Sequence, residues 1–259
     1  MKVRSLTLLF ALALALAGPL SAQEGLGQLW EVQTIEVRPD HIDEFMEVVG
    51  KIHQAAEASS LAGEYGWHIW VDGFDVIIAS PASNMASFDD PTAWVREFQG
   101  TPGEAILNEA MEAMGDIAAT PASREIWEVV EDWSWSPETA PFEQPGHAEL
   151  FEFWVRPGKM EEFQEVAKEI AAFAGRSGGV YPMTGYRFQF GEVGRAAFIV
   201  FLDDWASYYG PNSMESRIAG TPAAAEWEDI LTRLRDCITD FDKTQIDYVA
   251  DLSYTGPGA

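Results

Sequence analysis

The chain is written twice, and no other feature constrains its fold as strongly. Residues 30–48 align without a gap to residues 148–166, with eight of nineteen positions identical. The shared run passes through Val37-Arg38-Pro39 and Val155-Arg156-Pro157 into Glu44-Phe45 and Glu162-Phe163. Further along, Gly66-Trp67 matches Gly185-Tyr186, Ala86-Ser87-Phe88 matches Ala206-Ser207-Tyr208, and Gly100-Thr101-Pro102 matches Gly220-Thr221-Pro222. The offset drifts only from 118 to 120. Self-similarity at a near-constant period means one supersecondary plan used twice. Residues 136–146 carry three prolines and no apolar period, which suits an extended spacer. The expected organisation is a first repeat over 23–135, this linker, and a second repeat over 147–259.

Each copy carries the same succession of patterns. Residues 29–37 and 147–155 alternate like strands and stop at Val-Arg-Pro, where proline ends a ladder and prepares a helix start. Asp40 is the expected cap of the first helix, whose apolar stripe is Ile42, Phe45, Val49, Ile52 and Ala56. Met160, Phe163, Ala167, Ile170 and Ala174 repeat that stripe. Two strands follow, over 65–72 and 74–80 with a tight turn at Asp72-Gly73, and over 184–190 and 195–202 with the longer turn 191–194. Short helical pieces lie near 91–98 and 213–219. Long helices start at Thr101-Pro102-Gly103-Glu104, a capping-box arrangement, and at Thr221-Pro222. Last strands are expected over 124–135 and 244–254. The plan is α+β: two tandem ferredoxin-like repeats, βαββαβ with an extra short helix. Both strand faces carry large apolar groups, so the antiparallel sheets are expected to face each other as an internal pseudo-dimer.

Composition excludes whole classes of partner. With 42 acidic against 16 basic side chains, the net charge is −26, which opposes phosphate backbones and anionic lipid. Hydrophobic residues at 47% are enough for a large core, so the acidity does not signal a disordered tail. Expected partners are therefore a small-molecule ligand and no nucleic acid, with no membrane insertion once the leader is removed, and the chain is expected to be a monomer. That leader is residues 1–22: basic Lys2 and Arg4, an apolar stretch over 6–17, and small residues ending at Ala22, the expected cleavage point of a secretory signal. The localisation implied is secreted or periplasmic. Cys237 is the single cysteine, so no intramolecular disulfide can form, and its helical, apolar setting reads as packing. No metal-ligand spacing occurs, the acidic pairs lack a calcium-loop pattern, and no cofactor is expected. A haem would need an axial ligand on an apolar element, which only His53 or His68 could offer.

The run Val155-Arg156-Pro157-Gly158-Lys159-Met160-Glu161-Glu162-Phe163, and less closely residues 37–45, resembles the dimeric α/β-barrel superfamily, in particular its antibiotic-biosynthesis monooxygenase and NIPSNAP-like groups. The resemblance covers both copies. It implies a ligand cavity between paired sheets or between a sheet and its helices. It also implies a range of activities: cofactor-independent oxygenation of aromatic substrates, haem handling, lyase or isomerase chemistry, or plain binding. No catalytic set of these families maps onto the chain residue by residue.

Alternation on the second strand sets His68 and Trp70 on one face, and the matched strand sets Arg187 and Gln189 there. Thr34 and Glu36 on the first strand, with Glu152 and Trp154 on its counterpart, would share the space on that side. His68 would be an acid/base candidate and Arg187 a cation for an anionic or enolate oxygen, among tryptophans. The competing interpretation is that Arg187 and Glu152 neutralise each other structurally. The first functional expectation is an exported protein binding a small apolar or aromatic molecule. The alternative is a cofactor-independent monooxygenase or related enzyme using His68 and Arg187, and a second alternative is an acidic protein-interaction module.

Overall fold

The computed structural model describes residues 28–257, apart from 83, 91, 116, 118, 140 and 193. The expected leader lies outside the described residues. The fold is α+β, with antiparallel strands and several helices, and the chain divides into two compact units. Among the described residues the first is 28–126 with 249–257, and the second is 127–248. This division differs from one drawn at the proline-rich spacer, because the spacer falls inside the second unit and the C-terminal tail inside the first.

The first unit contains β1 (Leu29–Val37), α1 (Ile42–Ser59), β2 (His68–Asp72), β3 (Asp75–Ala82), the short α2 (Ala93–Arg96) and α3 (Glu104–Met114). Strand β4 (Ala119–Trp135) begins here and ends in the second unit. The sheet order is β1-β3-β2, with Ile35 opposite Val76 and Ile69 opposite Ile78. Those four residues are buried against Phe45, Val49 and Ile52 of α1 and Leu107 of α3. Helix α1 follows β1 because Pro39 ends the ladder and Asp43 and Glu44 favour the helix N-terminus. The cap position is His41 rather than Asp40, and it makes no side-chain cap bond. At α3 the expected reciprocal box does not form: the cap residue is Gly103, the Thr101 hydroxyl donates to the Phe98 carbonyl at 2.7 Å, and the Glu104 carboxylate accepts the Gly100 N–H at 2.8 Å.

The second unit contains β5 (His147–Val155), α4 (Met160–Arg176), β6 (Met183–Phe190), β7 (Arg195–Leu202), the short α5 (Trp205–Tyr209) and α6 (Met214–Ile218), α7 (Ala223–Cys237) and β8 (Ile238–Tyr248). Its sheet order is β8-β5-β7-β6-β4. Phe153 and Phe198 on the sheet pack with Phe163 and Ile170 of α4 and Ile230 and Leu234 of α7. Cys237 is fully buried in this core, as its apolar setting suggested.

The last strand is displaced from expectation. β8 spans Ile238–Tyr248 rather than 244–254. The tail instead binds the second strand of the first unit: Trp67 and Tyr254 exchange backbone bonds of 2.7 and 2.8 Å, and the Ser253 hydroxyl accepts the Ile69 N–H at 2.8 Å. These contacts satisfy donors that β2 would otherwise leave unpaired.

Candidate functional site

Beneath the second unit's sheet, on its helix side, lies a cavity of about 470 Å³. Its apolar walls include Phe151 and Phe153 of β5, Phe198 of β7, Ile170 of α4 and Trp227 and Leu231 of α7, with Trp135 from the end of β4. The short helices α5 and α6 contribute Tyr208, Tyr209, Met214 and Arg217. This volume falls in the range that holds a small organic ligand, roughly 300 to 1,000 Å³. The corresponding space in the first unit, between Phe45, Trp67, Ile78 and Met114, is closed down to about 10 Å³.

One carboxylate organises the polar part of the cavity. Glu149, on the same face of β5 as Phe151 and Phe153, is only 1% exposed. The Tyr208 hydroxyl donates to Oε2 at 2.5 Å, the Tyr209 hydroxyl donates to Oε1, and the Lys243 ammonium stands 2.9 Å from Oε1. Gln245 and Lys243 in turn donate to the Tyr209 oxygen at 2.7 and 3.2 Å. Burial, with Glu149 beside it, pushes the Tyr208 phenol far above its ordinary range, so it is a neutral proton donor at any working pH. Burial works against the Lys243 charge, but its bonds to Glu149 and Tyr209 outweigh that and hold the ammonium above its usual range. The set is a carboxylate, two phenols and a fixed cation at the edge of an apolar chamber. Such a set can pass a proton between a bound molecule and Glu149 through a phenol, and can donate to an oxygen that becomes negative.

The first unit holds a stripped version. Glu31, also 1% exposed, accepts from Arg124 of β4 and from Gln33 at 2.7 Å. Glu31 and Glu149 are one of the eight identities in the aligned first strands. Phe88 takes the place of Tyr208 in the matching Ala-Ser run, and among the described residues no phenol bonds Glu31, whose Oε2 is buried with no partner. Burial therefore raises the Glu31 carboxyl despite Arg124 and Gln33.

The residues singled out from sequence lie elsewhere. None of Thr34, Glu36, His68, Trp70, Glu152, Trp154, Arg187 and Gln189 lines the cavity. Glu36 is exposed and Thr34 and His68 are half-buried, while Trp70 is buried. His68 stands opposite Ala79, on the sheet face away from α1, with its ring 5.6 Å from Trp30. Arg187 stands opposite Ala196, which packs into the helix-side core, so it does not share His68's kind of face as the alternation reading expected. A one-residue difference in ladder register turns every side chain over. Nor does Arg187 neutralise Glu152. Arg187 bonds Glu128 at 2.6 and 2.9 Å, joined there by Gln189, whereas Glu152 pairs with Arg195, which lies over the Trp154 ring at 5.2 Å. The axial-ligand candidates are equally remote: His53 is edge-on to Tyr254 at 5.8 Å, and no histidine lines the cavity. No cluster of three metal-ligating side chains occurs among the described residues.

Burial lowers the His68 pKa below its ordinary value of about 6.5. The unfolded chain therefore takes up a proton first as pH falls, and the stability that neutral His68 contributes above about pH 6.5 is lost on descending toward its folded value. The stability difference between the native chain and H68Q should accordingly shrink or reverse between pH 8 and pH 5. A difference that urea unfolding finds constant over that range would show that His68 takes up its proton at the same pH in the folded and unfolded chain, so that burial does not depress it.

No protein-family model and no curated protein sequence matches the chain. Solved structures do. A protein from Fusobacterium nucleatum assigned as a monooxygenase superposes with a TM-score of 0.58 at 13% identity, covering 91% of this chain and 97% of its own. A second such protein, from Lactobacillus acidophilus, gives 0.52 at 12% identity over 88% and 96%. The chain shares their fold. A variant chlorite dismutase from Candidatus Nitrospira defluvii gives 0.49 at 10% identity over 87% and 93%.

The sequence carried a usable signal for the site that alternation missed. An acidic residue stands at the same place in both first strands, on the parity of Ile35 and Val37 in one and Phe153 and Val155 in the other. A charge on the core parity of a strand needs a partner.

Proposed function

We propose that this protein is a small-molecule enzyme of the monooxygenase-like kind, with its substrate held in the second unit's cavity and its proton chemistry carried by Glu149, Tyr208, Tyr209 and Lys243. One observation carries the reading: an apolar chamber of about 470 Å³ keeps a buried carboxylate fully engaged by two phenols and an ammonium. Such a group is costly to bury and adds little to a chamber that merely needs to be greasy. The fold shared with proteins assigned as monooxygenases supports the same direction, although fold alone does not choose a reaction.

The chemistry proposed is cofactor-independent oxygenation at an acidic C–H of an aromatic substrate. Glu149 receives the substrate proton through Tyr208, and the phenols and Lys243 steady the oxygen on which the carbanion's charge rests. The carbanion then transfers its electrons to molecular oxygen. Overall, a CH₂ group and O₂ give a carbonyl and water. His68 and Arg187, the earlier candidates, have no part in this scheme because neither borders the chamber. We further propose that the two units descend from one duplicated ferredoxin-like βαββαβ plan, and that the chain is exported after cleavage following Ala22 and acts as a monomer.

The test is oxygen uptake with a panel of tricyclic aromatics bearing an acidic benzylic CH₂. Turnover should be seen with the native chain and fall roughly a hundredfold or more in both E149Q and Y208F, since either change breaks the relay. Binding of these compounds without oxygen uptake would replace the enzyme by a simple ligand-binding protein using the same chamber.

A further inference from the structure

The cavity has a second polar pole. Arg217, on α6, lines it as well. One guanidinium nitrogen donates to the Ser177 carbonyl at 3.2 Å, which fixes the group at the C-terminal end of α4. Its Nε is buried and has no hydrogen-bond partner, and no carboxylate pairs with it among the described residues. The other cations on the wall are committed: Lys243 to Glu149 at 2.9 Å and Arg235 to Glu228 at 3.0 Å. Glu215, the remaining acidic wall residue, is exposed. In a chain with 42 acidic and 16 basic side chains, an unneutralised cation beside an apolar chamber is not explained by a shortage of partners. A guanidinium offers five N–H donors in a flat fork that suits a carboxylate or similar anion.

The first unit supplies an internal contrast. Arg217 stands three residues before Gly220-Thr221-Pro222, and Glu97 stands three before Gly100-Thr101-Pro102. Where the chamber is closed to about 10 Å³ the position is acidic, and where it is open it is cationic.

We propose that Arg217 anchors an anionic oxygen group, a carboxylate or its like, on an aromatic ligand of the second unit's cavity. This deepens the reading of that cavity as the substrate site and rests on it. The substrate class is then an aromatic acid held at its anion by Arg217 and presented to the Glu149 set. The surrounding negative charge favours ligands that bring one compact anion rather than several.

Two fluorescent probes of nearly equal frame test this: 1-anilinonaphthalene-8-sulfonate, which is anionic, and N-phenyl-1-naphthylamine, which is neutral. The native chain should bind the sulfonate roughly tenfold or more tightly than the neutral probe. In R217M that preference should vanish while the neutral probe binds unchanged, and R217K should keep part of it. An equal affinity of the native chain for the two probes would overturn the anchor while leaving the cavity standing. So would a preference that survives in R217M. Failure of both probes to bind the native chain would instead remove the cavity reading, and the anchor with it. The native ratio needs no variant, so the proposal stays testable if R217M does not fold.

Discussion

Replacing Glu149 by leucine should cost about 3 to 4 kcal/mol of folding stability, more than any other single change in the cavity's polar set. The carboxylate takes three partners at once, so its loss strands each of them. The Tyr208 hydroxyl suffers most, because it is half-buried and donates to Glu149. Leaving one such donor unsatisfied costs about 1 to 3 kcal/mol. Lys243 is 40% exposed at its side chain and can turn to water, so its share is small. E149Q keeps an acceptor of the same shape and should lose about 1 kcal/mol. Adding Y208F to E149L should recover part of the loss, since it removes the stranded donor together with its partner. Urea unfolding of the three variants reads this directly. If E149L proves no less stable than E149Q, the cluster is not the connected unit that the geometry describes.

How far the sequence disclosed this arrangement depended on whether the signal was local. β1 and β5 occupy the residues expected of them, because period-two alternation and the Val-Arg-Pro stop are written within nine residues. The helix stripes were legible for the same reason: of ten residues named, only Ile42 and Met160 are not fully buried. β8 was not legible. Its residues Thr239 to Lys243 are polar or exposed throughout, with Phe241 itself 46% exposed, so the strand has no apolar alternation to read. Its existence is set by the ladder with β5, where Phe151 faces Lys243 and Leu150 faces Thr244. That is a long-range fact.

The face assignments failed at a subtler level. Matching Gly66-Trp67 to Gly185-Tyr186 is correct as sequence, yet Trp67 packs in the helix-side core while Tyr186 pairs opposite Ala197, one step from the core-facing Ala196. Sequence similarity fixes which residues correspond, and the strand partner decides where they point. The cavity followed the same logic. Glu149 lay in plain view among the aligned identities, but its phenols come from a helix some sixty residues on, and nothing in either segment alone predicts their meeting.

Gly185→Ala should cost about 3 kcal/mol, and it isolates what the repeated glycine is for. The backbone at Gly185 has no positive φ, so a turn does not require glycine there. Space does: a Cβ would collide with the Cβ of Trp133, and would lie 3.0 Å from the Trp133 carbonyl oxygen and 3.1 Å from the Phe198 ring. Trp133 is 2% exposed and packs edge-on to Phe163 at 5.7 Å, so it cannot retreat without repacking the core. The matching Gly66 is crowded too, but by backbone: a Cβ there would sit 2.7 Å from the Tyr254 oxygen and 2.9 Å from that of Gly63. The two glycines thus serve one need, close approach to β2 and β6, against different neighbours. Gly220→Ala is the control. Gly220 has φ of 72° with open space around it, so alanine there meets only backbone strain of about 1 to 2 kcal/mol. Denaturant unfolding should rank G185A well below G220A in stability, and the reverse order would refute the close-packing account. Because β6 also carries Met183, a wall of the cavity, G185A should weaken probe binding there while G220A leaves it alone.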